Sequence, residues 1–339
     1  MGFGYGVYFS ERERNRVVRW DPDTGEADVI AGEPADGDKT QTLRDPYGLA
    51  FDSGGNLLIT DKMNCRIVRL KKGRLEELPL KDVTGHRNRL KNSSPGYQPF
   101  PICAPSGIWA EKGKSLLVSF HDDGTVYRIG PDGRIELLLG MVPNRNYFHA
   151  GTRETVPIAE LPDTPMRRPT GIVSRSDGTI YVIERGYQLL REYRPGKAYR
   201  SLFPMSKQKE WYRKTPPAGD LPFSDYACVY PGSLALDQDE NLYMTEVNQR
   251  CIMKIDVQAK RARKVLDSRQ DPGAGLGGIS ALSFGSDGTA WVMDAAAGGV
   301  EGYRTDRGIP WTPSGVALRE IRGKPLRLAP GGAGLITGK

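Results

Sequence analysis

The sequence reads as an all-β protein, a six-bladed β-propeller with four-stranded antiparallel blades. Three observations lead there. A short phrase of residues recurs down the chain, the first copy begins in mid-repeat, and equivalent positions recur at a nearly constant interval.

The phrase has three parts. Its fullest copy is Pro46-Tyr-Gly-Leu-Ala-Phe-Asp52, then Gly54-Gly-Asn-Leu-Leu-Ile-Thr-Asp61, then Cys65-Arg-Ile-Val-Arg-Leu70. Pro105-Ser-Gly-Ile-Trp-Ala110 leads to Ser115-Leu-Leu-Val-Ser-Phe120 and Thr125-Val-Tyr-Arg-Ile-Gly130. Pro169-Thr-Gly-Ile-Val173 leads to Thr179-Ile-Tyr-Val-Ile-Glu184. Pro231-Gly-Ser-Leu-Ala-Leu-Asp237 leads to Asn241-Leu-Tyr-Met-Thr-Glu246 and Cys251-Ile-Met-Lys-Ile-Asp256, and Ile279-Ser-Ala-Leu-Ser-Phe284 leads to Thr289-Ala-Trp-Val-Met-Asp294. Each part is a short run rich in β-branched and aromatic residues, bounded by Gly, Asp-Gly or Pro-Gly, as strands joined by hairpins require. The N-terminus supplies only the later parts, in Gly6–Glu11, Arg16–Trp20 and Asp28–Gly32. The missing first part must come from the other end of the chain. Pro325–Ala329 has the right pattern and is expected to pair with Gly6–Glu11 and close the ring, with Gly315-Val-Ala-Leu as a weaker competitor.

The last residue of the second part falls at positions 11, 61, 120, 184, 246 and 294, at intervals of 48 to 64 residues. One domain over 1–339 follows, with blades expected at 325–339 plus 1–32, 46–80, 105–140, 169–204, 231–267 and 279–321. The chain of 339 residues carries a net charge of +7 and four cysteines, which places it among ordinary globular proteins rather than fibrous or disulfide-stapled ones. No apolar run approaches the roughly 20 residues of a membrane span, and Met1–Tyr5 lacks the basic and apolar regions of a signal peptide. A cytoplasmic monomer without membrane contact is expected. Cys65, Cys103, Cys228 and Cys251 show no C-x-x-C spacing and are read as reduced thiols, so the sequon at Asn92 carries no weight.

The pattern Pro-x-Gly-[Leu/Ile]-Ala, Gly-x-Leu-x-[Ile/Val]-x-[Asp/Glu] and Asn-x-Arg-Ile, fullest in Pro46 to Arg69, resembles the NHL-repeat family, although the Gly-Asp-Gly-Gly linker is absent and only the second blade has Asn-x-Arg-Ile complete. The resemblance implies a propeller. That family holds scaffolds that bind protein or RNA. Related six-bladed propellers include lyases, lactonases such as the gluconolactonase-like proteins, and strictosidine-synthase-like enzymes, so the resemblance leaves function open.

In a four-stranded blade, connections from strand four to the next strand one share a face with those from strand two to three. The long connections Lys81–Ala104, Met141–Arg168 and Met205–Tyr230 are all of the first kind and are expected to crowd one rim. Loops this long are functional or disordered, and Tyr97, Phe100, Tyr147, Phe148, Trp211, Tyr212 and Tyr226 argue against disorder. The markers Glu11, Asp61, Phe120, Glu184, Glu246 and Asp294 reach the same face. Two readings of these five carboxylates stand side by side. They cap turns by accepting backbone N–H groups or pair with arginines such as Arg66; or they converge, repel, raise one pKa and draw in a cation. All three histidines, His86, His121 and His149, fall on that face, and His121 is the most rigidly placed because it directly follows a strand.

Basic residues gather in His86–Lys91, Met166–Arg168, Lys207–Lys214 and, toward the opposite face, Lys260–Lys264. Gly273–Gly278 and the tail Gly331–Lys339 mimic nucleotide-binding glycine loops but lack the helix and the Ser/Thr those need, and are read as flexible turns. The functional expectation is a top-face funnel for a small molecule, a hydrolase or lyase in which His121, Glu184 or Glu246 moves a proton. Glu11, Asp61 and Asp294 would hold a divalent metal (Ca, Zn or Mg), while His149, Tyr187, Trp211 and Tyr212 contact substrate. The alternative is a non-catalytic scaffold whose basic, aromatic loops bind a protein or RNA partner.

Overall fold

The computed structural model describes residues 6–21, 24, 26–32, 37–82, 103–140, 155–156, 166–197, 199–204, 219–267, 279–285, 290–294, 328–330 and 335–338. Within them the chain is all β apart from single 3₁₀ turns. It is a β-propeller with four-stranded antiparallel blades. Five sheets contain the full unit of four antiparallel strands, with inner strands Leu335–Gly338, Pro46–Phe51, Pro105–Ala110, Pro169–Ser174 and Pro231–Leu236. The sixth sheet departs from the expected pattern. It pairs Ile279–Phe284 with Ala290–Asp294 antiparallel, but its third strand, Leu328–Pro330, runs parallel to the second.

Ring closure comes from a different segment than the sequence suggested. The strand that pairs with Gly6–Glu11 is Leu335–Gly338, in the register Gly6 to Gly338 through Phe9 to Leu335. Pro325–Ala329 does not fill that place; Leu328–Pro330 lies in the sixth sheet instead. The Leu335-Ile-Thr-Gly338 run inside the tail read as a flexible turn is therefore a strand, because its β-branched core outweighs the flanking glycines once an unpaired edge is offered to it.

The inner strands explain the Pro-x-Gly phrase. In blades two to five the inner strand carries a β-bulge at these residues, as in the shift between Pro46 and Leu49 opposite Asp61 and Ile59. A bulge leaves a backbone N–H without its ladder partner. The hydroxyl one residue before the end of strand two supplies that partner: Gly48 N–H donates to Thr60 Oγ1 (2.7 Å), Gly107 N–H to Ser119 Oγ (2.9 Å) and Ser233 N–H to Thr245 Oγ1 (2.8 Å). The same hydroxyl then donates its proton across the seam to the next inner strand, Thr60 to Ser106 O (2.8 Å), Ser119 to Thr170 O (2.5 Å) and Thr245 to Ser280 O (3.5 Å). Ser10 does likewise to Tyr47 O at 2.9 Å. Inner strands so linked lie very close. A Cβ on Gly48 would collide with Ser106 O, and one on Gly107 with Thr170 O.

Between blades the second strands are buried on both faces. Leu57–Asp61, Leu116–Phe120, Ile180–Glu184 and Leu242–Glu246 are buried at every residue, and their alternate side chains feed the apolar clusters on either side. The connections into blades three, four and five do more than crowd a rim: Lys81–Asp82, Thr155–Val156 and Asp220–Pro222 each add a fifth strand to the outer edge of the blade they enter, covering an edge that would otherwise offer unpaired backbone groups.

Two cysteines overturn the expectation of four reduced thiols. Cys65 and Cys103 form a disulfide across the seam between blades two and three, with Cα atoms 4.4 Å apart. Their separation of 38 residues conceals that the corner of one blade meets the entry to the next. Cys228 and Cys251 are free and buried in the core of blade five.

Close packing at the bulge makes a direct prediction. Gly107→Ala should cost about 1–3 kcal/mol from overpacking, whereas Gly113→Ala, whose Cβ would meet nothing within 4 Å, should leave stability nearly unchanged. Chemical denaturation of the two variants measures this, and equal midpoints would contradict the seam geometry.

Candidate functional site

One corner is repeated at the end of five second strands. The marker residue is followed four positions later by a left-handed residue that turns the chain into strand three: Asn15, Cys65, Gly124, Gln188 and Arg250, with φ of 52 to 66°. The chain entering strand one lies beneath this corner, and the N–H two residues before the strand-one proline points at the marker carboxylate. Arg44 N–H donates to Asp61 Oδ1 (2.7 Å), Arg167 N–H to Glu184 Oε1 (2.8 Å), and Val229 and Tyr230 N–H to Glu246 (3.3 and 2.9 Å).

Most carboxylates expected to hold metal or move protons are thus occupied as latches. Glu11 pairs with Arg16 and, at 3.7 Å, with Arg14. Asp61 also accepts from Asn64 Nδ2 (2.8 Å) and Arg66 Nε (2.7 Å). Glu184 accepts from Arg191 Nε at 3.0 Å, both side chains almost wholly buried; burial raises its pKa, with Arg191 opposing. These are the turn-capping and arginine-pairing roles rather than a converging acidic ring. Among the described residues no group of three or more His, Cys, Asp or Glu is placed to hold a metal. Asp294 ends its strand as a marker should.

Glu246 differs. It is fully buried, no arginine reaches it, and Cys251 occupies the strand-three position across from it. Tyr226 Oη donates to Oε1 at 2.7 Å. Burial pushes its pKa up to about 7, against the Tyr230 and Val229 N–H groups and the Tyr226 hydroxyl. With Cys228 and Cys251 beside it, it has no contact with solvent.

Blade three breaks the pattern and makes the site. Phe120 takes the marker position, buried and edge-on to Tyr127 at 5.5 Å. The latch carboxylate moves to Asp123, whose Oδ2 accepts the Cys103 N–H at 2.9 Å. Burial and then the neighbouring Asp122 raise Asp123 to about 6, opposed by that N–H, with no cation against it among the described residues. His121 follows Phe120 directly; its N–H donates to Ala104 O at 3.0 Å and its side chain is 7% exposed. Nδ1 lies 2.6 Å from Asp122 Oδ1, and Nε2 is buried with no hydrogen-bond partner among the described residues. The His121 contact lowers the pKa of Asp122, helped by Lys62 and Arg168, so an ionised Asp122 accepts Nδ1–H and orients the ring.

The position after the marker is basic in blades one to four: Arg12, Lys62, His121 and Arg185. Arg12 holds Asp45 bidentately (2.6 and 3.1 Å) and stacks on Tyr47, and Arg185 Nη2 donates to Tyr230 Oη at 2.6 Å. Tyr187 lies in the corner of blade four with the Arg167 guanidinium 5.6 Å from its ring centroid. His86, His149, Trp211, Tyr212 and the basic runs His86–Lys91 and Lys207–Lys214 lie outside the described residues. Lys260–Lys264 is partly neutralised, with Lys264 Nζ 2.7 Å from Asp267. Sequence reasoning singled out His121 but passed over Asp122, Asp123 and Lys62; the signal for the first two was the acid displaced from position 120 into His121-Asp-Asp-Gly124.

No protein-family model and no curated protein matches the chain. Solved structures similar to it are β-propellers. One is a chain of a nidogen–laminin complex, 12% identical over 99% of both chains with a TM-score of 0.58. Another is a gluconolactonase-like protein, 14% identical over 86% of this chain and 82% of that one, with a TM-score of 0.53. A third is virginiamycin B lyase from Staphylococcus aureus, 15% identical over 83% and 69%, with a TM-score of 0.49. At these identities the likeness extends to the fold, and chemistry must be argued from the site. No helix among the described residues is long and apolar enough to cross a membrane.

Glu246 supplies a pH prediction. Its pKa is about 7 in the folded chain against 4.5 for a solvated glutamate, so its proton stabilises the fold below pH 4.5 and that stabilisation is lost as pH rises through 7. The loss is on the order of 3 kcal/mol. Glu246→Gln should remove this component, so that denaturation midpoints of wild type and variant diverge between pH 5 and pH 8; parallel curves would sink the assignment.

Proposed function

We propose that the protein is an enzyme that uses His121 as its proton-transferring base on a small molecule, in a hydrolase or lyase reaction. The observation that carries this is the His121–Asp122 pair: one ring nitrogen oriented by a carboxylate, the other buried and unpartnered. An unpaired polar atom in a buried ring costs free energy, and a general base needs just such an oriented, uncommitted nitrogen. Nε2 takes a proton from water attacking an acyl carbon, or from the carbon next to a carbonyl in an elimination. Asp122 stabilises the imidazolium, which returns the proton to the leaving oxygen.

Glu11, Asp61 and Glu184 are spent on latches, and this supports a metal-independent reaction at His121. The scaffold alternative draws on loops outside the described residues and gains nothing comparable from the corners. The Cys65–Cys103 disulfide supports a setting in which disulfides persist rather than the cytoplasm. The NHL-like ring of six is read here by taking the sheet of Ile279–Phe284 as the sixth blade. Its inner strand packs between Pro231–Leu236 and Leu335–Gly338 and receives the Thr245 seam bond.

Turnover of a panel of small lactones, esters and β-eliminable acids tests the reading. His121→Asn should lower activity by about 10²–10⁴-fold with the melting temperature little changed, and Asp122→Asn by a smaller factor. An active His121→Asn protein would refute it.

A further inference from the structure

We propose that the Cys65–Cys103 disulfide positions the His121–Asp122 pair, replacing the ion pair that fixes the corner in blades one, two and four, and makes the site responsive to thiols. This rests on the reading of His121 given above.

In those three blades an arginine from strand three pins the corner acid: Arg16 on Glu11, Arg66 on Asp61 and Arg191 on Glu184. Blade three has no such arginine. Thr125 begins its third strand, with Oγ1 buried and unpartnered, and the acid has moved to Asp123, outside the strand. Besides the corner's own Gly124 N–H to Phe120 O bond, the described contacts that hold it come from the entry segment, Cys103 N–H to Asp123 and His121 N–H to Ala104 O. That segment is the one tethered from outside. Cys65 is the left-handed corner residue of blade two, fixed on either side by Asn64 and Arg66, both bonded to Asp61. The disulfide thus transfers the rigidity of the Asp61 latch across the seam to the entry segment, and through two hydrogen bonds to Asp123 and His121. Asp122, which holds His121 Nδ1, lies in turn within the field of Lys62 and Arg168, and Asp123 lies within the field of Asp122. Both bridging cysteines are half-buried, whereas Cys228 and Cys251 are buried, so a small dithiol reaches the bridge first.

Reduction breaks the S–S bond, adds two electrons and two protons to give two thiols, and oxidises the dithiol to its cyclic disulfide. Without the bridge, Cys103 and Ala104 can shift, and the His121–Asp122 geometry shifts with them.

The test is a nuclear magnetic resonance spectrum of the histidine rings in full-length protein, with His121 assigned by His121→Asn, before and after dithiothreitol. Thiol counting in denaturant should give two free cysteines before and four after. The expected result is that reduction moves the His121 ring signals, leaves blade-five amides in place, and lowers turnover roughly 10- to 100-fold; Cys65→Ser/Cys103→Ser should reproduce the reduced spectrum and Cys228→Ala should not. Unchanged His121 signals after verified reduction, four free thiols at the outset, or a shift spread over every blade would each overturn the proposal. If the His121 signals move on reduction while His121→Asn keeps full turnover, the positioning role stands and the catalytic reading falls.

Discussion

Everything in this propeller hangs on a hydroxyl that serves two blades at once. Thr60, Ser119 and Thr245 each accept an N–H freed by the inner-strand bulge of their own blade and donate their single proton to a carbonyl of the next. One such bond is worth only about 0.5–1.5 kcal/mol net, but leaving either group buried and unpaired costs more. The seam is therefore maintained less by what the hydroxyl adds than by what its loss would expose. It also dictates the glycine: for the hydroxyl to reach both partners the inner strands must approach to a distance that excludes a Cβ. Blade four, where Ile183 stands in the hydroxyl position, shows the other solution, an apolar contact in which the isoleucine Cδ1 would sit 3.1 Å from a Cβ on Gly171.

With inner strands fixed in this way, the corner at the end of strand two becomes the one place where the repeat can vary without breaking the ring. Three of its versions are ion pairs. An Arg–carboxylate pair this deeply buried adds little net stability over an apolar contact, but removing one partner is severely destabilising, so these corners cannot easily be converted to chemistry. Blade five substitutes a tyrosine for the arginine and keeps its acid buried beside two cysteines. Blade three alone displaces the acid from the strand, puts Phe120 in the gap and brings a histidine to the corner with one nitrogen free.

Much of this architecture was legible in the sequence. The repeat phrase located every second strand and the inner strands that begin at Pro46, Pro105, Pro169, Pro231 and Ile279, because its β-branched runs and glycines answer to strand geometry. The arginine-pairing role of Asp61 was visible in Asn64-x-Arg66. What failed to show was anything joining distant residues. Leu335–Gly338 was hidden by flanking glycines, and a short β-branched run between them reads as a turn unless the unpaired edge of Gly6–Glu11 is known. Cys65 and Cys103 carry no spacing that marks a bridge, since their meeting depends on how a left-handed corner in one blade faces the entry to another. The carboxylates were recognised as a set, but a shared position does not reveal whether acids converge on a cation or each turn inward to an arginine.

The contrast between Glu246 and Asp123 shows why departure from the repeat, more than the presence of an acid, marks the site. Both lack a cation and both are pushed upward by burial, Glu246 to about 7 and Asp123 to about 6. Glu246 sits in place at the end of its strand, where two backbone N–H groups and a tyrosine absorb its lone pairs. Asp123 accepts a single backbone N–H and stands next to a second acid that is itself committed to an imidazole. A perturbed carboxyl with every partner satisfied is an element of structure. A perturbed carboxyl beside an oriented histidine whose second nitrogen lacks a described partner leaves a polar group that the latch does not satisfy, and that is the pattern of a candidate site rather than of a finished structural contact.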